Sequence, residues 1–263
     1  MKNVTQYLSV FLLCLGSIVL FGFDLKLIGF LILGIGMISL FLCEAEFRHD
    51  LILLYIAMGI LGVTPISTSV TYEHIFYMGL GMFFALFIPY SLSRVVYKEN
   101  IIRFFFNHKK IWTLNEILYL LGVITVAYFI VPIILIQTGS YHDWPVYLNF
   151  DSLFRLFIGI NLVGAWDELF FIFTVFAFLK RFLPFLAANI AQAILFSSFL
   201  YALGFHSWGI IIVFIFTFLQ GVVYIKTHSI AYIITIHLAV DTILYLVLIH
   251  AHFPQVLSIF ITG

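Results

Sequence analysis

The chain has 263 residues, 64% of them hydrophobic and 9% charged, with a mean hydropathy of +1.18. A soluble domain carries about 25% charged residues, so this composition excludes an ordinary water-soluble fold and leaves room for several spans of ~20 apolar residues each. Lys and Arg total 12 against 12 Asp and Glu, so no basic excess points to nucleic acid, and the 32 Phe suit lipid rather than a cofactor.

In chain order, apolar runs occur near 6–23, 26–43, 51–68, 74–96, 115–138, 153–179, 185–204, 209–225 and 229–250. The first follows a single Lys and resembles a signal peptide. No small-x-small cleavage site precedes the next run, so a retained helix is expected. The third run is short and meets Pro65. Only helices and closed barrels satisfy the backbone in lipid, and these runs are too long and continuous for barrel strands. The expected fold is all-α, a polytopic membrane helical bundle of eight or nine transmembrane helices. Cys14 and Cys43 sit alone in apolar runs, without CxxC or a nearby His, and read as small hydrophobes.

Lys and Arg set the expected orientation. Arg94, Lys98, Arg103, Lys109 and Lys110 place 97–114 in the cytoplasm, and Arg48, Lys180, Arg181 and Lys226 fall on the same side. The loop 139–150 has no Lys or Arg and lies outside. The N-terminus comes out cytoplasmic. The stretch IIRFFFNHKKIW fits either an ordinary cationic loop or an amphipathic interfacial helix. Glycines in GFLILGIGM and YMGLGMFF suit close helix packing. There is no Gly-rich phosphate loop, GxSxG or HExxH.

The last third carries ionisable groups inside hydrocarbon: Asp167 and Glu168, His206, and His237 with Asp241. A charge at bilayer depth costs roughly 2.5–3.5 kcal/mol or more, so such a cluster reads first as a functional site. His237 and Asp241 share a helix face as i and i+4. Asn161, Ala165, Glu168 and Ile172 form one stripe, and Gln192 shares a face with His206 if that helix runs unbroken. Each piece has a plainer alternative. A lone membrane His often bonds a neighbouring helix, and an i,i+4 His–Asp pair can satisfy itself. Adjacent carboxylates point ~100° apart and need two partners or a wet cavity. Together these groups suit water activation. A carboxylate serves as general base, a His protonates the leaving amine, and a second His donates to the oxyanion. Two His and a carboxylate could also hold zinc.

These residues resemble the CPBP family, the CAAX-protease and bacteriocin-processing intramembrane endopeptidases. The family's first motif, two adjacent Glu with Arg four residues later, is matched by Asp167-Glu168, with Ile172 at the Arg position. Its second, a His closing an aromatic-rich helix, is matched by His206, with Ala202 where an aromatic is usual. Its third, His-x-x-x-Asn or Asp, is matched by His237 and Asp241, and GVVYIKTHSIAYIITIHLAVD is similar to the usual run into it. The similarity covers about 150–250; helices before it carry no matched motif. The resemblance implies N-terminal transmembrane helices over 1–114 and a CPBP-like protease core over 115–263. It implies an intramembrane endopeptidase with Asp167, Glu168, His206, His237 and Asp241 in its site. The base is Asp167, in the family's base position, or the longer Glu168. No cofactor or metal is expected, zinc being the alternative. Expected partners are a peptide or protein substrate, prenylated or not, and the lipid bilayer, with no nucleic acid. The expected location is a bacterial inner membrane. Two further readings stay open: an inactive CPBP-like protein that binds and regulates a partner, and a proton-coupled transporter. No inverted repeat supports the transporter.

Overall fold

The computed structural model describes residues 2–99, 101–102 and 111–261. Arg103, Lys109, Lys110 and most of IIRFFFNHKKIW lie outside the described residues. Within them all the regular structure is helical. Helix α1 spans Lys2–Ser17 and continues as a π turn, Ile18–Gly22. Then come α2 (Lys26–Ser39, closed by a 3₁₀ turn Leu40–Leu42), α3 (Ala45–Val63), α4 (Tyr72–Val95) and α5 (Leu114–Thr138). Helix α6 covers Phe150–Lys180 and contains a π-helical stretch, Glu168–Phe176. The last three are α7 (Phe185–Ala202), α8 (Gly209–Thr227) and α9 (Ile230–His252).

Seven of these helices are long and apolar enough to cross a membrane. The other two apolar runs form helices as well, for reasons of length and charge short of that standard. Lys26–Leu42 is the shorter one, and α3 carries Glu46, Arg48 and Asp50 in its first two turns.

Local chemistry sets the helix boundaries. Thr113 and Glu116 form a capping box at the start of α5, which satisfies two orphan backbone donors reciprocally. Gly139 ends that helix in the left-handed conformation, φ 73°. Asn149 caps α6 through its side chain, and Ser229 caps α9. Between α7 and α8 the chain turns sharply at Gly204, φ +93°, a region that L side chains avoid.

Polar contacts tie distant segments at each end of the bundle. At one end Arg181 joins Asp50 of α3 at 2.5 Å and Glu99 at 2.9 Å. The Tyr232 hydroxyl donates to the Glu116 carbonyl at 2.7 Å, binding the start of α9 to the start of α5. At the other end Thr68 donates to the Asp143 carbonyl, and His206 pairs with the Asp143 carboxylate at 3.1 Å. Segments 48–50, 99 and 181, grouped on one side by their cationic residues, therefore share an end.

Helices α4, α5, α6, α8 and α9 line a half-open cavity of about 780 Å³. Its walls are mostly Ile, Val, Leu, Met and Phe. One end reaches Ser67–Val70, Trp144 and Arg155, and its interior reaches Asp167, His237 and Asp241.

Candidate active site

Asp167 and Glu168 stand where α6 passes from α- to π-helical winding. Single π segments inside α-helices recur at functional sites. The wider winding alters the register beyond Glu168, so the regular stripe expected from Asn161 to Ile172 ends there. Asn161 is satisfied on its own helix, donating to the Phe157 carbonyl at 2.8 Å. Ile172 is fully buried in an apolar cluster with Val223, Ile233 and Ile236.

Glu168 is wholly buried. Its Oε1 lies 2.6 Å from His237 Nδ1 and accepts from Gln220 Nε2 at 2.8 Å. Gln220 comes from α8 and also reaches the Ile233 carbonyl at 3.4 Å. Three helices thus meet on one carboxylate oxygen. The His237 ring lies between Phe196, stacked at 5.8 Å, and Phe216, edge-on at 5.4 Å. Its Nε2 faces the other way, 3.6 Å from Asp241 Oδ1.

Asp167 is equally buried, yet neither of its oxygens has a hydrogen-bond partner. It lines the cavity, as do His237 and Asp241. Asp241 Oδ2 and Glu168 Oε2 are likewise buried without a donor. Buried carboxylate oxygens are ordinarily hydrogen-bonded, so this cluster is rich in unused acceptors. Gly164, one turn before Asp167, makes the packing possible. A Cβ there would stand 1.9 Å from Asp241 Oδ2 and 3.0 Å from His237 Cδ2.

His206 makes none of the contacts described for these four. Helix α7 stops at Ala202, and the Gly204 turn carries His206 into the connection to α8. There it is 41% exposed and paired with Asp143. Phe205, not His206, lines the cavity. The same break corrects the expected common face of Gln192 and His206. Gln192 instead donates to Asn189 Oδ1 at 2.9 Å and the Thr217 carbonyl at 3.0 Å, tying α7 to α8.

Gln220 was missed at the level of sequence. Its one signal is a lone amide in the apolar run IIIVFIFTFLQGVVYI. As for metal ligation, no group of three or more His, Cys, Asp or Glu among the described residues is arranged to hold an ion.

The fold and this cluster together define a polytopic helical membrane protein with a carboxylate–histidine site in its interior. Residues 149–243 match the family model described as Type II CAAX prenyl endopeptidase Rce1-like. The match runs from the cap of α6 through Asp241 and so includes all five residues singled out above. It supports the CPBP, or CAAX-protease, family, and with the seven apolar helices it makes this an integral membrane protein. No curated protein and no solved structure matches the chain.

Proposed function

We propose that the protein is an intramembrane endopeptidase that hydrolyses a peptide bond of a membrane-associated peptide or protein with water activated by Asp167. The observation that carries this reading is the division of labour between the adjacent carboxylates. Glu168 is occupied by His237 and Gln220, whereas Asp167, a residue of the cavity wall, keeps two buried oxygens without a partner. A general base needs a free lone pair within reach of its water, and Asp167 has one.

Asp167 takes a proton from water, and the hydroxide attacks the peptide carbonyl carbon. Negative charge gathers on the carbonyl oxygen. His237, holding Glu168 through Nδ1, donates from Nε2 to that oxygen. Donors fixed in a water-poor site are often the largest catalytic contribution. Glu168 stabilises the imidazolium and fixes its ring, as carboxylates do for other catalytic histidines. Collapse of the intermediate breaks the C–N bond, and the proton taken by Asp167 passes to the leaving amine. Asp241 Oδ1, 3.6 Å from Nε2, stands beyond hydrogen-bond distance and leaves that N–H to the oxyanion. The apolar walls suit substrates with apolar flanks, whether side chains or a prenyl group. His206, paired with Asp143 near the connection to α8, takes no part in this scheme.

The test is cleavage of an apolar peptide library by the purified full chain in lipid nanodiscs, read by mass spectrometry. Asp167→Asn should lower the rate ~10²-fold or more. Equal rates for the native protein and a folded Asp167→Asn variant would remove Asp167 from the role.

A further inference from the structure

Asp167, Glu168 and Asp241 surround a single basic group, His237, and each is less than a tenth exposed. His237 is taken up by Glu168. Both oxygens of Asp167 and one of Asp241 face no donor, and both residues line the cavity. Among the described residues lining that cavity, the one Lys or Arg is Arg155. It lies twelve residues before Asp167 on α6, ~18 Å away along the axis. Its guanidinium is already held by Asp151 at 2.7 Å and stacked over Tyr72 at 4.4 Å. Buried carboxylates are costly unless a cation or several donors meet them. Most of the remaining wall is aliphatic and aromatic, which accommodates the methylene stem of a long basic side chain while its head finds the acids.

Resting on the peptidase reading, the geometry points to a cation subsite between Asp167 and Asp241 that binds a basic side chain of the substrate, beside the bond to be cut. The substrate class is an apolar peptide with a lysine or arginine next to the scissile bond. The ammonium makes charge-assisted hydrogen bonds to Asp241 and to one oxygen of Asp167, which leaves the other Asp167 oxygen for the water. Gly164, which offers no Cβ, leaves room for Asp241 Oδ2 against α6.

Binding is measured without turnover. The probes are a synthetic apolar peptide with one central lysine and the same peptide with norleucine, titrated against the full chain in zwitterionic-lipid nanodiscs. Tryptophan fluorescence reports occupancy, since Trp166 and Trp144 line the cavity. The lysine peptide is expected to bind about 10-fold or more tightly than the norleucine peptide. Asp167→Asn/Asp241→Asn should abolish that preference, and Asp167→Glu, which keeps the charge, should retain it. Equal affinity of the two peptides for native protein overturns the subsite, as does a preference that survives the double variant. A lysine preference in a protein that cleaves nothing upholds the subsite and removes only the peptidase reading. Efficient cleavage of neutral peptides with no lysine preference does the reverse.

Discussion

Glu168 and His237, 69 residues apart in the chain, meet with Oε1 and Nδ1 2.6 Å apart, and the carboxylate has no exposure to solvent. The adjacent Asp167 belongs to the cavity wall, and neither of its buried oxygens is engaged. One carboxylate therefore fixes the histidine, and the other is free to handle water.

That separation is testable by exchanging charge and length at Asp167. Asp167→Glu keeps the carboxylate with one more methylene and should retain activity. Asp167→Asn keeps the shape and should lose ~10²-fold in kcat. Full activity of Asp167→Asn, beside a folded but inactive Glu168→Gln, would reverse the two roles.

Among the described residues, Gln220 is the only side chain besides His237 that donates to Glu168. Gln220→Leu should cost about 1–3 kcal/mol, the penalty for stripping a donor from a buried charged acceptor. A fall in kcat is also expected as His237 loses its fixed support. Gln220→Glu places a second acid against Glu168 and should be worse than Gln220→Leu. Unfolding in mixed micelles and single-turnover rates check both points.

The ionisable part of this site was legible in the sequence because charge inside hydrocarbon is conspicuous. The i,i+4 spacing of His237 and Asp241 held because α9 is regular across both. Three features were not legible. The π-helical winding from Glu168 to Phe176 changes register without any Pro or Gly to announce it. Helix α7 ends four residues before His206, at a turn set by Gly204, within a run of apolar residues that reads as continuous helix. Gln220 is uncharged, so nothing separated it from a residue bonding its own neighbours. In the fold, the all-helical bundle follows from hydropathy alone. The shortness of Lys26–Leu42 and the acidic start of α3 are what blur the number of spans.

Gly164 should tolerate no side chain. A Cβ would meet Asp241 Oδ2 at 1.9 Å and its Cγ at 2.9 Å. Gly164→Ala must then displace Asp241 or part α6 from α9, at a cost of about 1–3 kcal/mol and with loss of activity. Gly159→Ala, on the same helix with nothing within 4 Å of the added carbon, should be neutral or stabilise by about 0.5–1 kcal/mol. Melting temperatures of the two variants decide this.

Arg181 is the cation seen to meet Asp50, whose side chain is 1% exposed. Arg181→Met should destabilise by about 2–3 kcal/mol, below the range for fully buried pairs because Arg181 is itself 30% exposed. Adding Asp50→Leu should recover most of that loss, since both charges are then gone. A double variant no more stable than Arg181→Met would show that the pair acts through something other than charge.

The central claim is that water activated at Asp167 cleaves a peptide bond inside the bundle. Its most direct test is single-turnover digestion of an apolar peptide by the purified full chain in ¹⁸O-labelled water, with mass spectrometry of both products. The expected result is one ¹⁸O in the new carboxylate of the N-terminal product from native protein, with the rate reduced ~10²-fold or more in Asp167→Asn. Intact peptide after prolonged incubation with folded native protein, or labelled product at the native rate from Asp167→Asn, would contradict it.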